Sequence, residues 1–296
     1  MYSKQTKIFG IIGYPLGHTL SPWIHNTLFG LSRYDGVYLV FERPNWSEVG
    51  ISPLLELGVR GISVTIPYKE WAFTLGTKQC KASQTMKASN TLIFEEGIHA
   101  VNTDGIGAVR SVLNFDSGLL SPDTNDSILV LGSGGSAKGI LFEIAETLRT
   151  KAKGKLIKKE VHILARNQKA VQDIFVSLGN PAWLRSVNLD EVMDHKKKYS
   201  LVIHTTPLGM KGIQGDPMLP KSFFERSQTL FDIVYNPLET ELVKFAKSKK
   251  TKIIPGYHML LHQGIRQFEL FTGIEPKKVW VLKVESILHS ILKKRK

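Results

Sequence analysis

The segment SILVLGSGGSAKG constrains this chain more than any other, because it sets a β-rich run, a glycine turn and a helix-forming stretch in immediate succession. Gly132, Gly134 and Ala137 fall in G-x-G-x-x-G/A spacing directly after the apolar run Ser127 to Leu131, the context that a dinucleotide-binding βα turn requires. Gly132 permits the tight turn, Gly134 leaves room where backbone meets a pyrophosphate, and small Ala137 lets the helix pack on the strand, its N-terminus toward the phosphates. A plain strand-to-helix turn is the alternative. At the tip of the next β-run, VHIL, a carboxylate would suit the 2′-hydroxyl of NAD and a cation the 2′-phosphate of NADP. The sequence has Ala165, Arg166 and Asn167 there, Lys169 just beyond, and Glu160 at the opposite end. NADP is therefore the expected cofactor, with Arg166 as an ordinary surface arginine the competing reading.

At about 150 residues per domain, 296 residues make two domains, and 42% hydrophobic with 22% charged residues excludes disorder, collagen and a disulfide scaffold. The lone Cys80 cannot close an intramolecular disulfide, so a cytoplasmic setting is expected. No apolar run approaches a membrane span of roughly 18 to 20 residues. Lys4 and Lys7 ahead of IFGIIG faintly mimic a signal peptide, but glycines and Pro15 break that run, which reads as a first strand. The 39 basic and 26 acidic residues leave +13, compatible with a nucleic-acid partner or with small anions on a basic surface. The lysines crowd into Lys151 to Lys159, His195 to Lys198, Lys244 to Lys252 and Lys293 to Lys296, and are not interleaved with exposed aromatics as a stacking platform would be. Solvated faces, with no nucleic-acid and no membrane partner, are expected.

The first hundred residues alternate β-rich and helical runs, the pattern of βαβ units and a mostly parallel sheet. Ile8 to Ile12, Val37 to Phe41 and Gly61 to Ile66 read as strands. Ser21 reads as the cap of a helix with Pro22 at its first position, Trp46 to Leu57 as one helix ending at Gly58, and Glu95, Glu96 and Gly97 as a hairpin turn between Thr91 to Phe94 and His99 to Asn102. Helix Gly105 to Leu113 is the candidate crossing into a second βα series, with strands at Ser127 to Leu131, Val161 to Leu164, Leu201 to His204, Thr229 to Val234 and Lys252 to Ile254. The fold class is α/β: residues 1–105 form an N-terminal unit, joined by a C-terminal helix over 276–296, and residues 106–275 form a Rossmann-like, doubly wound unit. No internal repeat is visible.

Polar groups gather at strand ends in GYPLGHTLSPWIHN, GISVTIPYK and ASNTL followed by NTDG. Lys69 and Asp104 are the candidates for proton chemistry, since reducing a ketone with hydride needs a proton and a positive partner at the developing alkoxide. Taken alone, Lys69 could be a helix-start surface lysine and Asp104 a helix N-cap.

Eight segments in order, GYPLGHTLSPWIHN, GISVTIPYK, SNTL, NTDGIG, LGSGGSAKG, TTPLGM, DIVYNPLET and PGYHMLLHQ, resemble the shikimate dehydrogenase family of NADP-linked oxidoreductases. The resemblance implies a discontinuous substrate domain facing a Rossmann-like domain across a cleft. It also implies reversible reduction of 3-dehydroshikimate to shikimate with NADPH, on the route to chorismate and the aromatic amino acids. It places the catalytic lysine at Lys69 and its aspartate at Asp104, and puts the substrate carboxylate on Thr19 and Ser21 with Tyr235 nearby. The ring hydroxyls fall to Thr65, Asn90, Asp104 and Gln263. The diphosphate falls on Gly132, Ser133, Gly134, Gly135 and Ser136, the 2′-phosphate on Ala165, Arg166, Asn167 and Lys169, and the nicotinamide end near Ile233 and Gly256. No metal is implied, and a monomer or homodimer is expected. Ser21 as a helix cap, Asn90 as a partner for buried backbone, and Tyr235 with Asn236 and Pro237 as a turn are the structural alternatives. The chain departs from the family pattern at Thr19, where serine is usual, and at Ser63, Ala165 and His204, where asparagine is usual. Quinate-using relatives also vary at the first loop. A quinate/shikimate enzyme with relaxed NAD use, and a non-catalytic nucleotide-binding protein on the same fold, are the rival readings.

Overall fold

The computed structural model describes residues 3–213 and 215–294 and divides into two compact units. The first comprises the chain up to Gly107 together with Leu260–Ile291, the second Ala108–Met259 with the residues from Leu292 onward. The last part of the basic run Lys293 to Lys296, residues 295 and 296, lies outside the described residues.

The first unit is built on a sheet of β1 (Lys7–Gly13), β2 (Gly36–Glu42), β3 (Val59–Val64), β4 (Lys78–Gln79), β5 (Thr91–Phe94) and β6 (Ile98–Val101), in the order β2-β1-β3-β5-β6-β4. β1 runs parallel to β2 and β3, while the hairpin β5–β6 makes β5 antiparallel to β3. Ser63 pairs with Thr91 and Thr91 with Val101. The register therefore brings the end of β3, the start of β5 and the end of β6 to one sheet edge, the arrangement that positions the site. Ile12, Ile62, Val64 and Leu92 pack against Trp46, Leu54 and Ala72 on one face. On the other, Phe9 stacks on Phe271 with ring centroids 5.0 Å apart and lies against Phe29 at 5.5 Å.

Three expectations differ here. Trp46 to Leu57 is two short helices, Trp46–Val49 and Ser52–Glu56, because Gly50 takes φ 73°, a left-handed conformation that ends the first, and Pro53 opens the second. Ser21 is not the cap of helix Ser21–Ser32: Leu20 holds that position without a side-chain bond, and Ser21 lies buried inside the first turn. The helix Tyr257–Thr272 sorts from Leu260 onward with the first unit rather than with residues 106–275, since Phe268 and Phe271 join the Phe9 and Phe29 cluster and Gln267 bonds to β5. At the other join the division falls inside helix Asp104–Phe115, after Gly107.

The second unit is a fully parallel sheet of β7 (Ser127–Leu131), β8 (Glu160–Leu164), β9 (Leu184–Ser186), β10 (Tyr199–His204), β11 (Thr229–Asp232) and β12 (Lys252–Ile254). Its order β12-β11-β10-β7-β8-β9 is the 3-2-1-4-5-6 order of a doubly wound dinucleotide fold, with the switch point between β7 and β10. β7 is buried along its whole length, as a central parallel strand covered on both faces must be. Within the lysine run 151 to 159, Lys159 is not solvated: it is fully buried, its Nζ 2.7 Å from Asp126 and donating to the Leu119 carbonyl at 3.1 Å. A buried ammonium needs such a pair of partners.

Candidate active site

Lys69 opens the helix Lys69–Leu75 that follows β3, Asn90 precedes β5, and Asp104 opens the helix after β6. Sheet register alone thus gathers three distant segments. Lys69 Nζ lies 2.6 Å from Asp104 Oδ2, while Asp104 Oδ1 accepts from Asn90 Nδ2 at 2.8 Å. The aspartate side chain is 13% exposed and the lysine 31%, so the pair is shielded yet open to a small molecule. The Ser89 amide donates to the Lys69 carbonyl at 2.8 Å, which fastens the lysine's helix start to the Asn90 loop.

Asn90 is held from both ends. Its Oδ1 accepts from the Thr103 amide at 2.9 Å and the Thr91 hydroxyl at 2.8 Å, which aims its amide nitrogen at Asp104, Thr103 and Gln263. Gln263 Oε1 lies 3.4 Å from Asn90 Nδ2 and 3.5 Å from Thr103 Oγ1, with its own nitrogen donating to the Leu260 carbonyl at 2.9 Å. Asn90 thus satisfies the buried Thr103 amide with its oxygen while its nitrogen meets the Asp104 carboxylate. Thr65, half-buried, follows β3 directly beside Gly13. Thr19 Oγ1 accepts from the Ser21 amide at 3.4 Å, and Ser21 is buried.

Gln267 was not singled out by its sequence context, and it is the most connected side chain behind this site. It accepts from Ser63 Oγ at 2.8 Å and donates to the Asn90 carbonyl and to Thr91 Oγ1, both at 3.0 Å. The available signal was its spacing: Gln263 and Gln267 stand four apart on one face of a helix that is otherwise apolar there. His25 stacks on Tyr38 at 4.2 Å and sits 3.4 Å from Gln267 Oε1; burial pushes its pKa down to about 3, so it is neutral.

In the second unit the glycine turn leads into open space at the start of a long helix. Gly132 has φ 109°, and a Cβ there would meet Thr205 Oγ1 at 2.8 Å and Thr206 Cγ2 at 2.9 Å. Gly134 and Gly135 face open space, with no heavy atom within 4 Å of a built Cβ, and no acidic residue occupies the first turn of helix Gly135–Ala152, which includes Ser136. Anions are favoured at such an end. Ser133 Oγ donates to the Asn167 carbonyl at 3.5 Å, joining the β7 and β8 loops. Asn167 Oδ1 caps the next helix through the Ala170 amide at 3.0 Å, Ala165 is buried, and Arg166 and Lys169 are exposed cations beside it. Ile233 and Tyr235 follow β11, and Gly256 lies against the backbone of residues 232 to 234. His204 is buried between Asp232 at 2.9 Å and Thr206 at 2.5 Å. Among the described residues no group of His, Cys, Asp or Glu could hold a metal ion, and no helix is long and apolar enough to cross a membrane.

A Rossmann-ordered sheet with an open glycine turn, carried in one chain with a lysine–carboxylate pair on a mixed sheet, defines an NADP-dependent α/β oxidoreductase acting on a CH–OH group. The chain is 44% identical to the shikimate dehydrogenase (NADP(+)) of Leptospira interrogans over 99% of its own length and 98% of that protein. It belongs to the shikimate dehydrogenase family. Residues 11–92 match the shikimate dehydrogenase substrate binding domain, and residues 256–278 the shikimate 5'-dehydrogenase C-terminal domain. The Aquifex aeolicus shikimate dehydrogenase crystal structure superposes with TM-score 0.80 at 28% identity, covering 96% of this chain and 99% of that one. The Thermus thermophilus enzyme in complex with NADP(H) and shikimate gives TM-score 0.76 at 27% identity, covering 94% and 98%.

Proposed function

We propose that this protein catalyses the reversible, NADP-linked interconversion of shikimate and 3-dehydroshikimate, and that Lys69 and Asp104 do its proton chemistry. The observation that carries the reading is the 2.6 Å contact of Lys69 with Asp104, whose other oxygen is held by Asn90. NADP, when bound, supplies the hydride or takes it up. The open Gly134 and Gly135, Ser133 and Ser136, and the cations Arg166 and Lys169 are the groups of this chain suited to hold its phosphates; Gly132 shapes that turn, with Ala165 and Asn167 forming the backbone beneath the cations and Ile233 and Gly256 assigned to the nicotinamide end.

In the reducing direction the protonated Lys69 donates its proton to the ketone oxygen as negative charge develops there. Asp104 keeps the ammonium aimed and accepts a hydrogen bond from a ring hydroxyl; in the oxidising direction Lys69 takes the proton back. Thr65, Asn90 and Gln263 offer hydrogen bonds to the remaining hydroxyls, each of which costs roughly 1 to 3 kcal/mol if desolvated without a partner. Thr19 and Ser21 are assigned to the substrate carboxylate, with Tyr235 added as the resemblance of its motif implies. A cytoplasmic enzyme, monomeric or homodimeric and without a nucleic-acid partner, completes the reading; the exposed lysines at 151, 153, 155 and 158 belong to helix-end and loop surface.

The test is absorbance in the NADPH band with purified protein, shikimate and NADP. Formation of NADPH is expected, with slower turnover on quinate and with NAD. Absence of NADPH formation, or a faster reaction with quinate, would overturn the assignment.

A further inference from the structure

Behind the Lys69–Asp104 pair runs a chain of buried side chains, all in the first unit, whose donors point one way. The Tyr38 phenol donates to Ser63 Oγ at 2.6 Å, and Ser63 donates to Gln267 Oε1 at 2.8 Å. Gln267 Nε2 donates to Thr91 Oγ1 at 3.0 Å, Thr91 donates to Asn90 Oδ1 at 2.8 Å, and Asn90 donates to Asp104 Oδ1 at 2.8 Å. The direction is dictated by the groups at each end. Asp104 accepts from Lys69 and so needs donors; Asn90 can present its nitrogen there only if its oxygen is occupied by donors from Thr91 and the Thr103 amide. The Gln267 amide in turn has its nitrogen fixed by a second acceptor, the Asn90 carbonyl at 3.0 Å, leaving its oxygen for Ser63. Burial keeps the Tyr38 phenol protonated, a donor, by raising its pKa, and keeps His25 a neutral ring beside Gln267.

We infer that Gln267 and Thr91 are positioning residues for the catalytic pair: they lock the orientation of Asn90, and through it Asp104 and Lys69, and they tie that pair to Ser63 of β3 and Tyr38 of β2. Neither group is placed against substrate or cofactor, and the effect on turnover rests on the proposed dehydrogenase activity. Buried polar chains of this kind hold one arrangement because each reversed amide leaves an unpartnered donor or acceptor behind it.

The test uses three variants of the full chain. Thr91→Val keeps the shape of the side chain and removes its hydroxyl, Gln267→Met keeps the length and removes both polar atoms, and Thr91→Ser keeps the hydroxyl. Two readouts are taken: kcat and KM with shikimate and NADP, and the NMR shifts of the ¹³C-labelled Lys69 ε-methylene in the unliganded protein. Thr91→Val and Gln267→Met are expected to lower kcat by roughly 3- to 30-fold with a smaller change in KM, and to displace the Lys69 signal, while Thr91→Ser keeps both. Parent-like kcat and Lys69 shifts in the first two variants would overturn the inference. So would an equal loss in Thr91→Ser, or a fall in kcat with the Lys69 signal unmoved. If the parent fails to oxidise shikimate, the dehydrogenase reading falls by itself, and the Lys69 shifts in the unliganded protein still decide whether the chain orients the pair.

Discussion

Asp104 uses its two carboxylate oxygens on different partners: Oδ2 takes the Lys69 ammonium at 2.6 Å and Oδ1 the Asn90 amide at 2.8 Å. The division of labour means that removing the lysine leaves the aspartate oriented, so chemistry and positioning can be separated by mutation. Lys69→Ala is expected to lower kcat by roughly 10² to 10⁴ with KM for shikimate changed only modestly, because a general acid is lost while the hydroxyl-binding groups remain. Steady-state kinetics in both directions checks this, and wild-type turnover in the variant would refute the role.

Asn90→Ala removes an acceptor from the buried Thr103 amide and Thr91 hydroxyl as well as a donor to Asp104. Leaving buried groups unpaired costs roughly 1 to 3 kcal/mol. Asn90→Ala should therefore lower the stability measured by denaturant unfolding by about that amount and reduce kcat/KM as well, whereas Lys69→Ala should leave stability nearly unchanged. Equal stability of the two variants would contradict the arrangement.

Strand-end position singles out Lys69, Asp104 and the glycine turn as candidates, since open α/β sheets place their loops there, while Asn90 is singled out by the family resemblance; the fold brings Lys69, Asn90 and Asp104 into contact. Local patterns failed where a contact from far along the chain decided the outcome, or where a single backbone conformation overrode the spacing. Gln267 reads as one polar residue in an amphipathic helix, and only packing shows its bonds to Ser63 and Asn90. Lys159 reads as part of a charge run, and only the fold buries it against Asp126. Trp46 to Leu57 has helical spacing, but Gly50 in a left-handed conformation breaks it. Ser21 has the chemistry of a cap, yet the helix starts one residue earlier, with Leu20 at the cap position and Ser21 inside the first turn.

Stability should depend on pH through His25. Its folded pKa is depressed by burial from 6.5 to about 3, so between these values the unfolded chain binds the proton and the folded one does not. Stability is therefore full above the unfolded value and falls as pH drops below it, with a slope approaching 1.4 kcal/mol per pH unit as an upper bound. His162, also lowered by burial, adds with the same sign. Unfolding free energies at pH 7 and 5 should differ in that direction, and His25→Phe should flatten the dependence; an unchanged slope would remove His25 as its source.

Gly132 and Gly134 offer a contrast between folding and binding. At Gly132 a methyl would sit at φ 109° and 2.8 Å from Thr205 Oγ1, so Gly132→Ala should lose more than about 1 kcal/mol of stability. At Gly134 φ is −77° and nothing lies within 4 Å of the methyl, so Gly134→Ala should fold with stability within roughly 0.5 kcal/mol of the parent. The same methyl would stand in the space assigned to the diphosphate, so its NADP dissociation constant should rise at least tenfold, about 1.4 kcal/mol. Thermal unfolding with and without NADP separates the two: the parent and Gly132→Ala differ without ligand, and Gly134→Ala loses the ligand-induced rise in Tm. A Gly134→Ala protein that gains as much from NADP as the parent would show that the phosphates bind elsewhere.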